Sequence, residues 1–139
     1  MSINVGDRMP EGRLIRMGGD GPEPITMDEL FAGERILLFA VPGAFTPTCS
    51  ARHLPGYIEH AHAIKEKGVD TIACMAVNDV HVMTAWAESA GAGDSILMLA
   101  DGNGTYATAL GLDSDSSAFG MGKRSRRFSM LSACTASIG

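Results

Sequence analysis

Three apolar runs recur along the chain, at residues 35–41, 69–77 and 96–100. Each has strand length and little polar alternation, the pattern of strands buried on both faces of a sheet. Helical spacing fills the intervals. Ile58, Ala61 and Ile64 mark one helix that closes at Gly68, and Met83, Trp86 and Ala87 mark another that Asn78 and Asp79 cap and that ends near Gly91. Asp101-Gly102-Asn103-Gly104 turns the chain into a short helix around residues 106–110. Before the first run, residues 11–17 read as an edge strand or hairpin, followed by a turn cluster over 18–22. Thr26 and Glu29 have capping-box spacing for a short helix that stops near Gly33. Pro55-Gly56 is expected to interrupt and kink the helix it falls in. Residues 113–118 read as a mobile polar loop, and 124–131 as one strand after a hairpin at Gly120 and Gly122. Alternating strands and helices joined by short turns predict an α/β fold, with a mixed central sheet flanked by helices.

Length and composition narrow the function. The chain has 139 residues, enough for one domain with a real core, and shows no repeat or linker. No stretch is long and apolar enough to span a bilayer. The first seven residues lack the basic start and apolar core of a signal peptide, which reads as a cytoplasmic protein. A formal net charge of −5 argues against general nucleic-acid binding. The three cysteines, Cys49, Cys74 and Cys134, are too few and too dispersed for a disulfide scaffold. There is no C-x-x-C and no H-x₃-H spacing, so no zinc site is expected, and the scattered His53, His60, His62 and His81 receive no role.

The chemistry concentrates where the first buried run ends, in Val41-Pro42-Gly43-Ala44-Phe45-Thr46-Pro47-Thr48-Cys49. Thr46 is a good N-cap, and Pro47 then occupies the first helical position, where its missing N–H costs nothing. Cys49 is thereby expected in the first turn of a helix, where free backbone N–H groups and the positive dipole end favour an anion. Such a setting lowers a thiol pKa from roughly 8.5 into the range of about 3.5–7.5. The plainer alternative for any lone cysteine is an inert buried thiol. Cys74, in the middle of the second apolar run, reads that way. In the basic run from Lys123 to Arg127, Lys123 and Arg124 read as a solvated hairpin.

Pro42, Thr46 and Cys49 match the P-x-x-x-(T/S)-x-x-C pattern of the peroxiredoxins. The fuller string PGAFTPTCS, with HLPG at residues 53–56, resembles the type II (peroxiredoxin-5) subfamily. The resemblance covers about residues 5–130. It implies a thioredoxin-like fold and a thiol-dependent peroxidase in which Cys49 reduces hydroperoxides and becomes a sulfenic acid. No cofactor or metal is implied. By the same resemblance Arg127, in Arg127-Phe128-Ser129-Met130, folds back to the nucleophile, Thr46 hydrogen-bonds sulfur and peroxide, and Pro42 shields the sulfur. Cys74 stands at a spacing where some members place a resolving cysteine. The implied reductant is glutathione with glutaredoxin, or thioredoxin, and the implied assembly is a homodimer with the Phe45 loop near its interface. A dithiol oxidoreductase on the same fold is the second reading, which Thr46 in place of the first cysteine of C-x-x-C opposes. An inactive or redox-sensing domain is the third. Residues 132–139 form an atypical tail unlike the family, whose further strand and final helix have no counterpart after Leu131.

Overall fold

The computed structural model describes residues 9–31, 35–46, 54–92 and 95–132. Its elements in chain order are β1 (Arg13–Gly18), β2 (Gly21–Thr26), α1 (Met27–Phe31), β3 (Ile36–Ala40), α2 (Leu54–Glu66), β4 (Thr71–Ala76), α3 (Val80–Ala90), β5 (Leu97–Ala100), α4 (Thr105–Leu110), β6 (Asp113–Asp115), β7 (Lys123–Ser125) and β8 (Phe128–Ser132). Six strands form the main sheet in the order β2-β1-β5-β4-β3-β8, and β6 pairs with β7 separately. The three apolar runs are the parallel strands β3, β4 and β5 at the centre. β1 runs antiparallel to β5, and β8 runs antiparallel to β3.

The period of two along a strand sorts side chains between two cores. Ile36, Leu38 and Ala40 of β3, with Ala73 and Met75 of β4, meet Met27 and Leu30 of α1 and Tyr106, Ala107 and Leu110 of α4. Phe39, and Ile72, Cys74 and Ala76 of β4, face the opposite way, toward Leu54 and Ala61 of α2 and Val80, Met83 and Trp86 of α3. Helices therefore cover both faces, as the alternation predicts. Phe39 stacks on Tyr57, ring centroids 3.8 Å apart and nearly parallel, which ties the first turns of α2 to the strand that precedes Pro42.

The start of α1 and the Asp79 and Gly91 ends of α3 act as read, while the stop expected near Gly33 and the helix start expected at Pro47 lie outside the described residues. Thr26 Oγ1 accepts from the Glu29 N–H at 3.2 Å while the Glu29 carboxylate accepts from the Thr26 N–H, a reciprocal capping box. Asp79 caps α3 by accepting from the Val82 N–H, and Gly91 closes that helix in the left-handed conformation.

Four expectations change. Residues 124–131 are two strands, not one. The Arg126 N–H donates to the Leu112 carbonyl, which holds β7 on β6, and the chain then re-enters the main sheet as β8. Residues 113–118 are not a mobile loop: they contain β6 and the start of a 3₁₀ turn, Ser117–Phe119. The Ser117 hydroxyl and N–H stabilise the Asp115 carboxylate and hold it below the usual carboxylate range. Within the described residues α2 runs unbroken from Leu54 to Glu66 through Pro55 and Gly56; the residues before Leu54 lie outside the described residues. Arg124 is half-buried and bonded to the protein rather than solvated.

Candidate functional site

The parallel strands β3, β4 and β5 end side by side; β4 and β5 each lead through a short turn into a helix, and β3 leads into residues 41–46. Ligand and reaction sites in such sheets collect at the carboxyl edge. Here that edge consists of loop 42–46 after β3, Val77 to Asp79 after β4 and Asp101 to Gly104 after β5. Backbone bonds keep the strand ends in step: the Val41 N–H donates to the Met75 carbonyl and the Asp101 N–H to the Ala76 carbonyl.

Loop 42–46 is held from within and from outside. The Thr46 hydroxyl donates to the Gly43 carbonyl at 2.8 Å, and the Ala44 N–H donates to Asn78 Oδ1 at 2.8 Å. Asn78 thus serves the neighbouring loop, while Asp79 alone caps α3. Pro42 and Thr46 are half-buried, and Gly43 is buried. Phe45 adopts φ +62°, the left-handed region that side chains with a Cβ rarely occupy. It leaves the ring 50% exposed, at 6.4 Å and 51° from Trp86 of α3.

β8 governs where Arg127 falls. The last pair of the β3–β8 ladder is Ala40 with Phe128, so Arg127 lies one residue beyond it, beside the exit of β3 toward Pro42. Its side chain is exposed. The register therefore brings Arg127 to the same end of the sheet as Pro42 and Thr46. Cys49, like Cys134 and His53, lies outside the described residues. Cys74 is fully buried in mid-β4, opposite Phe39 on one side and Met98 on the other. That is the packed core thiol of the plainer reading. Two residues of the site, Asn78 and Arg124, escape sequence reasoning, because their partners lie 34 and 47 residues away.

A cavity of about 330 Å³, lined among others by Thr71, Ile72, Met83, Ser95 and Leu97, opens at the opposite, amino ends of β4 and β5 and takes no part in this arrangement. Among the described residues no group of three or more His, Cys, Asp or Glu side chains could hold a metal ion. No helix among them is long and apolar enough to cross a membrane.

Residues 4–133 match the Redoxin family. The chain is 49% identical over 130 residues to Peroxiredoxin-2C of Oryza sativa subsp. japonica, covering 93% of this chain and 80% of that protein. The chain belongs to the type II peroxiredoxins. A chloroplastic relative from the same plant, Peroxiredoxin-2E-2, is 51% identical over 135 residues, covering 94% of this chain, which spans 60% of that relative's length. Among solved structures, reduced Prx3 of Vibrio vulnificus in complex with hydrogen peroxide superposes with a TM-score of 0.93 at 47% identity, covering 98% of this chain and 84% of that one. The thioredoxin-like peroxiredoxin fold is therefore that of this chain, with β3 leading into the family's proline, threonine and cysteine positions.

Proposed function

We propose that this peroxiredoxin chain is a thiol-dependent peroxidase that reduces hydrogen peroxide and alkyl hydroperoxides at Cys49. The observation that carries the reading is the convergence on one sheet edge of Pro42, Thr46 and Arg127, the described members of the family's peroxidatic set. The same convergence favours the peroxidase over an inactive or redox-sensing domain, which has no use for a held threonine hydroxyl. The hydrogen peroxide in the Vibrio vulnificus structure supports the substrate class.

In the proposed reaction the Cys49 thiolate attacks the terminal oxygen of R–O–O–H. The S–O bond forms as the O–O bond breaks, leaving Cys49 as sulfenic acid and releasing RO⁻, which takes a proton to become alcohol or water. Thr46 has committed its own proton to Gly43, so its oxygen is left to accept the peroxide O–H and thereby aim the O–O bond. The Arg127 guanidinium cannot deprotonate, and its fork of donors stabilises the thiolate and the charge developing on the leaving oxygen. Pro42 limits water at the sulfur. No metal or prosthetic group enters this chemistry.

Recycling uses an external thiol: it attacks the sulfenic sulfur and releases water, and a second thiol frees Cys49 as the disulfide of the reductant departs. Glutathione with glutaredoxin is the favoured pair over thioredoxin. The burial of Cys74 supports this order, because a disulfide needs Cα atoms within about 7 Å and a reachable sulfur. The assembly is a homodimer with the half-exposed Phe45 in the contact, located in the cytoplasm.

The test compares Cys49→Ser and Cys74→Ala with the parent in peroxide consumption with glutathione and glutaredoxin, followed by mass spectrometry after one equivalent of peroxide. Cys49→Ser abolishes turnover, and Cys74→Ala stays within about threefold of the parent, as expected for a small apolar replacement of a packed thiol. The parent carries a sulfenic acid or glutathione adduct on Cys49 and sediments as two chains. Near-normal turnover by Cys49→Ser would falsify the reading, and a Cys49–Cys74 disulfide as main product makes Cys74 the resolving residue.

A further inference from the structure

A second arginine reaches the same loop by a different route. Arg124 stands in the middle of β7, in the small hairpin outside the main sheet. Its Nε donates to the Met121 carbonyl at 2.9 Å and its Nη1 to the Val77 carbonyl at 3.1 Å. One planar guanidinium thus joins the hairpin to the end of β4. The same Nη1 lies 3.0 Å from the point where a Cβ on Gly43 would stand, and Thr46 Cγ2 lies 3.2 Å from that point. A Cβ at Gly43 would require both to give by a few tenths of an ångström. An arginine tip is normally free to move aside, but this one is fixed by two backbone acceptors. Gly43 is therefore confined between Arg124 and Thr46, and it is the Gly43 carbonyl that receives the Thr46 hydroxyl proton.

We propose that Arg124 is a positioning residue for the peroxidatic loop: it closes the space beside the Gly43 Cα, and Gly43 in turn fixes the direction of the Thr46 hydroxyl. This rests on the peroxidase reading and adds to it a residue that need not touch substrate. The two arginines then divide the work. Arg127 supplies charge to the reacting atoms, and Arg124 supplies shape to the group that aims the peroxide. Both carbonyls that hold Arg124 are neutral, so its fork geometry is the property they select. A lysine carries the charge without the fork.

The experiment is a double-mutant cycle of Arg124→Met and Thr46→Val, read as the second-order rate of the parent's and variants' Cys49 with hydrogen peroxide. A small misalignment of a reacting group costs up to about 100-fold in rate, so Arg124→Met loses about 10-fold and Thr46→Val about 100-fold. The double variant matches Thr46→Val within about twofold, because residues in one chain of contacts do not act additively. Multiplying losses, or a full rate in Arg124→Met, overturn the proposal. Arg124→Lys is the second variant, for the case that Arg124→Met does not fold. It loses about 10-fold against peroxide yet alkylates with iodoacetamide within about twofold of the parent, since alkylation needs no aligned O–O bond. Equal losses against both reagents mean a general brace and overturn it. Amide exchange at Ala44 reads the loop without activity: exchange at least about 10-fold faster in Arg124→Lys, with Leu99 unchanged, supports the proposal, and parental exchange overturns it. A parent that ignores peroxide sinks the peroxidase reading alone, and the exchange data then decide Arg124.

Discussion

The three turns that follow the parallel strands are built to different ends. After β5, the buried Asp101 turns both carboxylate oxygens on the start of α4, accepting from the Tyr106 N–H at 3.0 Å and the Ala107 N–H at 2.8 Å. After β4, Asp79 accepts from the Val82 N–H at 2.9 Å. In both, an aspartate side chain satisfies open donors of a helix start. After β3 there is no Asp or Glu between Val41 and Glu59, and the sequence offers Cys49 instead. A thiol is an anion only when it ionises, and as an anion it is a nucleophile. The loop before it has no carboxylate of its own and is bonded to Asn78 from another element. Carboxylates thus stabilise the helix starts after β4 and β5, and the sequence after β3 carries the proposed nucleophile in their place.

That contrast can be broken at either end. The largest effect falls on the turn after β3. Arg127→Lys keeps a charge but loses the fork, and the rate of Cys49 with peroxide drops about 100-fold, the scale seen when one preorganised donor is removed. Stopped-flow traces at parental rates, together with an unchanged pH profile for Cys49 alkylation, sink the assignment. The turns after β4 and β5 respond in stability and not in rate. Asp101→Ala strands two buried N–H groups that bonded to a charged acceptor, costing about 2–4 kcal/mol. A urea titration reads that loss, while the peroxide rate of the folded variant stays parental. A rate that falls with Asp101 would mean that the two turns are not independent. Asp79→Ala, at a more exposed cap, costs about 1 kcal/mol in the same titration. A cost equal to that of Asp101→Ala would remove the distinction between a buried and an exposed cap.

Legibility in the sequence follows the range of the interactions. The capping box at Thr26, the caps of α3 and the three central strands depend on residues within four positions or on unbroken apolar runs, and all were readable. The β6–β7 hairpin was not. Its first strand is Asp113-Ser114-Asp115, which has no apolar alternation, and it is held by pairing with residues about ten positions on. The split at Arg126 was hidden for the same reason, since the Leu112 carbonyl that causes it lies outside the run. At the site, the family resemblance gathers Pro42, Thr46 and Arg127 about Cys49, and the strand register brings these three to one end of the sheet, while Arg124 reads like any charge in a basic run. Only its carbonyl partners and its place beside the bare Cα of Gly43 distinguish it.

The antiparallel ladder between β3 and β8 makes the placement of Arg127 a matter of parity. Leu38 pairs with Met130 and Ala40 with Phe128, and Met130 and Phe128 pack on the α1–α4 core. Continued by one residue, the alternation assigns Arg127 to the other side, the side of α2. One inserted or deleted residue within β8 would invert that assignment along the whole strand, exchanging core for solvent together with moving the arginine. The segment between β6 and β7 carries no such arithmetic for the main sheet. A change of length is therefore tolerable around the 3₁₀ turn at Ser117–Phe119 and costly a few residues later, so that the spacing proposed for catalysis is guarded by the packing of the core rather than by the site itself.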